Sequence, residues 1–247
     1  LRIHPCSIYF AARLFAPVIK SLPLQEILKF EKPAGYSFDC RIETRQHRMI
    51  LDYMRDAMTE RSAELWIYGP LGVGKTHLAL FVAEHFDCSY YDCGDIDPAK
   101  ASELLEWLDI DKGLILDRID FWLNDTEAES ALFSWWKRKR NALVLVSEHS
   151  PHVDHQVNLP DLRSRAHASM VLRLEGLNDE EINELFHCHL RSLHIELSSD
   201  VLRFLAPRLP RNPSRLMSLV HLIDQESLRD QRKITIPWLK RFLSPQL

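Results

Sequence analysis

The segment GPLGVGKT at residues 69–76 constrains the fold of this chain most, because it matches the phosphate-binding pattern GxxxxGK followed by Ser or Thr. The run ELWIYG at 64–69 is mostly apolar and aromatic after Glu64 and predicts a short buried strand that ends at glycine. After Lys75, apolar residues at helical spacing predict a helix: Leu78, Phe81, Val82 and Phe86. Between a strand and a helix, backbone N–H groups and the helix N-terminus bind phosphate oxygens. The segment therefore predicts a phosphate-binding loop.

The side chains of this loop predict a nucleotide site. Lys75 can neutralise β- and γ-phosphate charge, and the Thr76 hydroxyl can bind Mg²⁺. A second apolar run, 113–117, ends in Asp117, which we expect to hold the same ion. We therefore expect ADP or ATP with Mg²⁺, bound by Gly69, Pro70, Leu71, Gly72, Val73, Gly74, Lys75, Thr76, His77 and Asp117.

The residue after Asp117 argues against efficient ATP hydrolysis by the chain itself. ATPases of this kind often place an acidic residue there to orient the attacking water, whereas this chain has Arg118, which cannot act as a general base. Asp120 is an alternative base if the turn aims it correctly. Ser147 and Glu148 end a later strand, where they either sense the γ-phosphate or cap the strand. Whether the chain is itself an enzyme stays open.

Strands and helices alternate along the first two thirds of the chain. Further strands are predicted at 88–91, 113–117, 142–146 and 170–174, with helices that begin at Asp97-Pro98 and span 125–140. This alternation predicts an α/β domain with a parallel sheet of about five strands between helices. Helices alone follow Gly176, beginning near Asn178, Ser199 and Pro213. We expect a tail at 1–35, the α/β domain at 36–176 and a small helical domain at 177–247.

The charge balance and the cysteines limit the possible functions. Thirty-one basic and 35 acidic residues give a formal charge of −4, so attraction to phosphates cannot dominate binding, and an electrostatic DNA binder is not expected. No apolar run reaches the roughly 18 residues of a membrane span, and no signal peptide is expected. Five cysteines, an odd number without paired zinc spacing, fit a reducing compartment. These features predict a cytoplasmic protein without a membrane partner.

Several segments together resemble one family. The loop followed by HLA, the LILD strand at 114–117, LVSE at 145–148 and LPDLRSR at 159–165 are similar to the AAA+ module of the bacterial initiator DnaA. Within that group, the tail around QRKITIP at 231–237 resembles the lid of the Hda family, the regulatory inactivators of DnaA. The resemblance implies an AAA+ fold with a helical lid. It also implies no DnaA-type DNA-binding domain and no sequence-specific DNA binding by this chain.

The resemblance implies two arginine roles, one as a finger and one as a lid contact to the nucleotide. Arg165 matches the finger that enters the nucleotide site of a neighbouring subunit, and its alternative role is pairing with a carboxylate such as Asp161. Arg163 is a less favoured finger. The lid should present an arginine to the nucleotide, and Arg211 or Arg215 can do so, although the family's usual position falls at Ser214.

The resemblance also implies a partner for the N-terminal tail. Hda-like proteins dock a short segment on the sliding clamp, the β subunit of DNA polymerase III, and this chain has Ser21, Leu22, Pro23 and Leu24 in that pattern. Ile19 stands where the family has glutamine, which removes a polar contact.

Three functions are compatible with these features. The leading hypothesis is a regulator of chromosomal replication initiation that binds adenine nucleotide and, with the DNA-loaded clamp, promotes hydrolysis of DnaA-bound ATP. The second is a P-loop ATPase similar to helicase loaders. The third is a truncated initiator that takes part in DnaA-like filaments. A homodimer is a further expectation.

Overall fold

The computed structural model describes residues 44–60, 63–86, 88–153, 157–230 and 234–243. These residues fall into two units. The N-terminal unit contains Arg45–Pro70 and Lys75–Glu175, and the C-terminal unit contains Leu71–Gly74 and the described residues from Gly176 onward.

A parallel sheet of five strands forms the centre of the N-terminal unit. The strands are β1 (Glu64–Tyr68), β2 (Cys88–Asp92), β3 (Gly113–Asp117), β4 (Leu143–Ser147) and β5 (Met170–Arg173). Their order across the sheet is β2-β3-β4-β1-β5, and all pairs are parallel. Every residue of β3 and β4 is buried, as expected for central strands covered on both faces. The predicted five-stranded parallel sheet is confirmed.

Helices connect these strands. They are α2 (Lys75–His85), α3 (Ala101–Trp107), α4 (Thr126–Arg138) and α5 (Pro160–Ala168), and a further helix, α1 (Arg45–Glu60), precedes β1. Helix α1 was not predicted from the sequence. Its residue Gln46 donates to Arg173 O at 2.7 Å and accepts from Glu175 N at 3.1 Å. The side-chain amide thereby pairs with the open edge beside β5, where a further strand would otherwise bind.

Helix α2 is buried more widely than its sequence pattern predicted. Five residues of this helix are buried: Leu78, Ala79, Leu80, Val82 and Ala83. Phe81 and Phe86 of the predicted stripe are only half-buried. The difference arises because α2 contacts α1 as well as β2, β3 and β4, so more than one face is covered.

Local capping signals explain where two helices begin and where one ends. The Asp97 side chain accepts from Ala99 N and, with Pro98 next, opens a 3₁₀ turn that leads into α3. Asp125 caps α4 in the same way through Ala128 N at 2.9 Å. Helix α4 ends at Arg138 rather than at residue 140 as predicted, because Lys139 has an extended ψ of 146°.

The C-terminal unit is helical in its described part after Gly176. It contains α6 (Asp179–Ser192), α7 (Ser199–Leu205), α8 (Pro213–Asp230) and α9 (Ile236–Leu243). The predicted helix start at Asn178 is confirmed as a capping box with Glu181. The cap of α7 is Ser198, one residue earlier than predicted. Apolar side chains from all four helices form one core, including Phe186, Leu205, Leu216 and Leu239.

No helix in the described part of the chain combines the length and the apolar composition that a bilayer span requires.

Glu129 organises the approach to α5. It is 1% exposed. One carboxylate oxygen accepts from Asn124 N at 2.9 Å and Asn158 N at 3.0 Å, and the other accepts from Leu159 N at 2.6 Å. Three backbone donors from two separate loops therefore depend on one buried side chain. Leu159 precedes α5, so this carboxylate fixes where the helix that carries Arg165 begins.

We expect Glu129→Ala to lower the free energy of unfolding by about 3 kcal/mol, because three backbone N–H groups lose their acceptor and a buried side chain leaves a cavity. Glu129→Gln should cost less, since an amide oxygen can still accept from part of this set. Urea denaturation at pH 7 measures both. Glu127→Gln, an exposed change in the same helix turn, is the matched control, and an equal loss in this control would contradict the role of Glu129.

Candidate functional site

The phosphate-binding loop joins β1 to α2, and its backbone requires glycine at three positions. Gly72 and Gly74 have φ values of 79° and 105°, which residues with a side chain rarely adopt. A Cβ atom at Gly69 would clash with the carbonyl oxygen of Leu174. The predicted loop therefore has the strand, turn and helix geometry in which backbone N–H groups can surround phosphate oxygens.

Lys75 lies inside this loop. Its ammonium donates to Gly69 O at 2.6 Å and Pro70 O at 2.9 Å. Burial lowers the pKa of Lys75, and the negative charges of Asp117, Glu148 and Asp120 oppose that shift. Three carboxylates therefore lie close enough to Lys75 to affect its charge, as expected at a site that binds phosphate and Mg²⁺.

Asp117 ends β3 and is tied to Thr76. Its carboxylate accepts hydrogen bonds from the Thr76 hydroxyl, from Tyr90 Oη at 3.0 Å and from Arg118 N at 2.8 Å. Burial raises the pKa of Asp117, and the hydrogen bonds from Thr76 and Tyr90 oppose this shift. The two residues predicted to share Mg²⁺ are thus in contact.

This donor set suits Mg²⁺. A hydroxyl and a carboxylate oxygen are hard ligands, and Mg²⁺ commonly takes only one or two protein carboxylates and completes its shell with phosphates and water. No group of three or more His, Cys, Asp or Glu side chains in the described residues could hold a metal by itself.

Tyr90 was missed by sequence reasoning. It lies on β2, and β2 pairs with the strand that ends in Asp117. A tyrosine two residues before the end of the neighbouring strand was the available signal. Its hydroxyl orients the carboxylate that Thr76 also contacts.

The side chain of Arg118 reaches into the loop after β2. Its backbone is left-handed, with φ 53°. The guanidinium donates to Asp92 Oδ1 at 2.5 Å and to Asp95 Oδ1 at 2.7 Å, and it lies 5.3 Å from the centre of the Phe121 ring. A side chain at Gly94 would collide with this guanidinium. Arg118 therefore links the loop after β2 to the end of β3.

The polar residues after β3 and β4 hold the two strand ends together. Asp120 Oδ2 accepts from Glu148 N at 2.7 Å, and its other oxygen lies 3.5 Å from His149 Nδ1. Ser147 is buried, donates to His149 O and accepts from Trp66 Nε1, both at 2.6 Å. Ser147 therefore caps the strand, as one of the two sequence hypotheses expected. Glu148 is half-buried and contributes negative charge at Lys75.

The two arginines of α5 have different surroundings. Arg163 donates through Nε and a terminal nitrogen to Val157 O, at 2.9 and 2.6 Å. Arg165 is 39% exposed, lies 3.8 Å from Glu64 Oε1 and approaches the Phe133 ring at 5.7 Å. The carboxylate near Arg165 is thus Glu64 and not Asp161, which had been the expected alternative partner.

The remaining predicted residues lie as follows. His77 is in the first turn of α2. Arg211 pairs with Asp179 of α6 at 3.0 Å, and Arg215 lies exposed in the first turn of α8, with its N–H donating to Asn212 Oδ1 at 3.1 Å. The clamp segment, Ser21, Leu22, Pro23 and Leu24, lies outside the described residues.

Comparisons with known proteins agree with this architecture. Residues 179–243 match the family described as the lid domain of Hda. The chain is 27% identical over 201 residues to an uncharacterized protein of Haemophilus influenzae, covering 76% of this chain and 87% of that protein.

The similar solved structures share the fold. Domain III of the replication initiation protein DnaA from Thermotoga maritima superposes with a TM-score of 0.70 at 20% identity, covering 85% of this chain and 96% of that one. DnaA from Aquifex aeolicus, solved with AMPPCP bound, gives 0.62 at 18% identity, covering 77% and 64%.

The burial of Asp92 predicts a pH-dependent stability. Burial raises the pKa of Asp92 from 3.8 to about 6, although Arg118 opposes this shift. Between about pH 4 and 6 the folded chain therefore keeps a proton that the unfolded chain has released, so the free energy of unfolding falls as pH rises through this window.

Between pH 4 and 7, we expect the free energy of unfolding of the parent to fall by roughly 2–3 kcal/mol relative to that of Asp92→Asn. The asparagine can still accept from Gly94 N, so the turn is retained. Urea denaturation at constant ionic strength measures the difference. A difference in the free energy of unfolding that stays constant across this range would contradict the raised pKa of Asp92.

Proposed function

We propose that this chain, which has the AAA+ fold of DnaA, is an Hda-like protein and regulates the initiation of chromosomal replication. In this proposal the chain binds ADP or ATP with Mg²⁺ at residues 69–76 and associates with the DNA-loaded sliding clamp. From there it promotes hydrolysis of the ATP bound to DnaA. Arg165 is the group that enters the DnaA site.

One contrast between two arginines carries the proposal. The residue after Asp117 is Arg118, whose guanidinium is bound to Asp92 and Asp95 and supplies no base for water attack. Arg165, in contrast, lies on α5 with more than a third of its side chain exposed. The chain is therefore better suited to supply a guanidinium to another protein than to hydrolyse ATP itself.

Nucleotide binding is supported by the geometry of the loop. The backbone and Lys75 would bind the phosphates, while Thr76 and Asp117 would hold Mg²⁺, which supplies charge neutralisation between the β- and γ-phosphates. Two of the similar DnaA structures contain AMPPCP, an ATP analogue. We include Arg211 or Arg215 of the lid, and His77, as further nucleotide contacts in this proposal.

The chemistry of the finger follows from the charge of a guanidinium. An arginine supplied in trans to a γ-phosphate stabilises the negative charge of the transition state and accelerates hydrolysis by about 10³- to 10⁵-fold. Arg163 is a poorer candidate because two of its nitrogens donate to Val157 O. Arg165 makes no comparable backbone hydrogen bond among the described contacts.

A second function, an ATPase similar to helicase loaders, has one observation in its favour. Asp120 and Glu148 contribute negative charge beside Lys75. Two carboxylates therefore lie near the loop even though residue 118 is an arginine. In that case hydrolysis would proceed without DnaA.

The decisive experiment measures ATP hydrolysis by the chain alone and with DnaA and DNA-loaded clamp. We expect low turnover alone and a strong rise in the full mixture. Arg165→Ala should abolish the rise while leaving nucleotide binding intact. Lys75→Ala should weaken the binding of a fluorescent ADP analogue by at least about tenfold, because the phosphate charge loses its cation.

Arg140→Ala, which removes an arginine that is 72% exposed, is the matched control and should stimulate like the parent. Strong turnover by the chain alone, sensitive to Lys75→Ala, would favour the ATPase instead. Full stimulation by Arg165→Ala would refute the finger assignment.

The clamp contact has its own test. We propose that Leu22 and Leu24 enter an apolar pocket of the clamp as an extended peptide. The double change Leu22→Ala and Leu24→Ala should abolish clamp binding measured by surface plasmon resonance. Ile19→Gln, which restores the family's glutamine, should increase the affinity for the clamp several-fold, which corresponds to the contribution of roughly one hydrogen bond. Unchanged binding by the double variant would exclude this segment as the anchor.

A further inference from the structure

Glu64, the first residue of β1, is a junction between three elements. Its Oε1 accepts from Trp136 Nε1 at 2.5 Å and lies 3.4 Å from Lys139 Nζ. The same oxygen lies 3.8 Å from a terminal nitrogen of Arg165. One carboxylate therefore links the start of β1, the end of α4 and the helix that carries Arg165.

The position of this carboxylate is well fixed. The Trp136 ring is 2% exposed, and the Lys139 side chain is 7% exposed. Glu64 is the acceptor of the buried indole N–H of Trp136, so losing this carboxylate would be costly. The buried ammonium of Lys139 donates to Asn141 O at 3.1 Å and adds an opposite charge beside Glu64. The carboxylate is thus held by two groups that cannot easily turn to water, and Arg165 meets a rigid partner.

Phe133 provides a second contact for the same guanidinium. The ring lies 5.7 Å from the guanidinium carbon of Arg165, within the range of a cation–π interaction. Phe133 and Trp136 are three residues apart on α4, so one helix face supplies the aromatic contact and holds Glu64. The Arg165 guanidinium is therefore restricted by an aromatic ring and by a carboxylate.

We propose that Glu64 is a positioning residue for Arg165, acting together with Phe133. The proposal rests on the proposed role of Arg165 in hydrolysis of DnaA-bound ATP. A free arginine side chain samples many rotamers, and ordering it when the complex forms reduces the benefit of its charge. The contacts with Glu64 and Phe133 restrict these rotamers before the partner binds, so the guanidinium reaches the phosphate in an active orientation more often.

The test compares the rate of DnaA-bound ATP hydrolysis at increasing concentrations of the chain, with DNA-loaded clamp present throughout. Glu64→Gln keeps an oxygen for Trp136 but removes the charge that attracts Arg165. Phe133→Leu removes the ring without changing any charge. We expect each variant to lower the maximal stimulated rate about three- to tenfold, with the half-saturating concentration within about twofold of the parent, because orientation and not binding is affected.

Asp161→Asn is the matched control. It also neutralises a carboxylate near Arg165 in sequence, but Asp161 is exposed and Arg165 pairs with Glu64 instead. It should behave as the parent. Adding Glu64→Gln to Arg165→Ala should cause no further loss, since the positioning residue acts only through the arginine.

Thermal unfolding distinguishes positioning from loss of the fold. If Glu64→Gln unfolds below the assay temperature, the rate with Phe133→Leu alone tests whether these contacts position Arg165. If the folded variants Glu64→Gln and Phe133→Leu reach maximal rates equal to or above that of the parent while Arg165→Ala is inactive, the positioning role of Glu64 is overturned. The proposed function is then unaffected. Full stimulation by Arg165→Ala would instead refute the proposed function itself.

Discussion

The parallel alignment of β1, β3 and β4 determines where all the candidate chemistry lies. Because parallel strands end at the same edge of a sheet, the loop after β1, Asp117 after β3 and Glu148 after β4 meet at the carboxyl edge. The opposite edge holds Glu64 and, beside it, Arg165. The five residues of β1 separate the two edges by about 13 Å, at roughly 3.3 Å per residue. The guanidinium thus lies away from the chain's own phosphate loop, where a group that acts on another subunit should lie.

Arg118, Arg163 and Arg165 differ in the groups that they contact. Arg118 is bound to two carboxylates, and Arg163 is bound to a backbone carbonyl, so both stabilise local structure. Arg165 has one ion pair at 3.8 Å and one aromatic contact. An ion pair of this length contributes little stability, so it can restrict the rotamers of Arg165 in the free chain and still give way to a phosphate when the partner binds. In the proposed function, these weak contacts leave Arg165 available to a partner.

The sequence predicted the features that depend on neighbouring residues. The loop glycines, the caps at Asp97 and Asn178 and the apolar strands are local signals, and the structure contains them. The missed residues act on partners distant in sequence. Tyr90 contacts a residue 27 positions away, Glu129 one 30 positions away, and Glu64 one 72 positions away. The sequence around Glu129 and Glu64 does not indicate such contacts, and that around Tyr90 gives only its place near a strand end, because these contacts form only once the chain has folded.

The lack of a carboxylate after Asp117 is a property of the whole turn, not of one residue. The left-handed backbone at Arg118 directs its side chain towards Asp92 and Asp95, and Gly94 leaves room for the guanidinium. A glutamate at this position would face two carboxylates, and its repulsion from them would disfavour the turn. Arg118, Asp92 and Asp95 therefore depend on one another, and a glutamate introduced at residue 118 alone would lose the partners that hold this side chain.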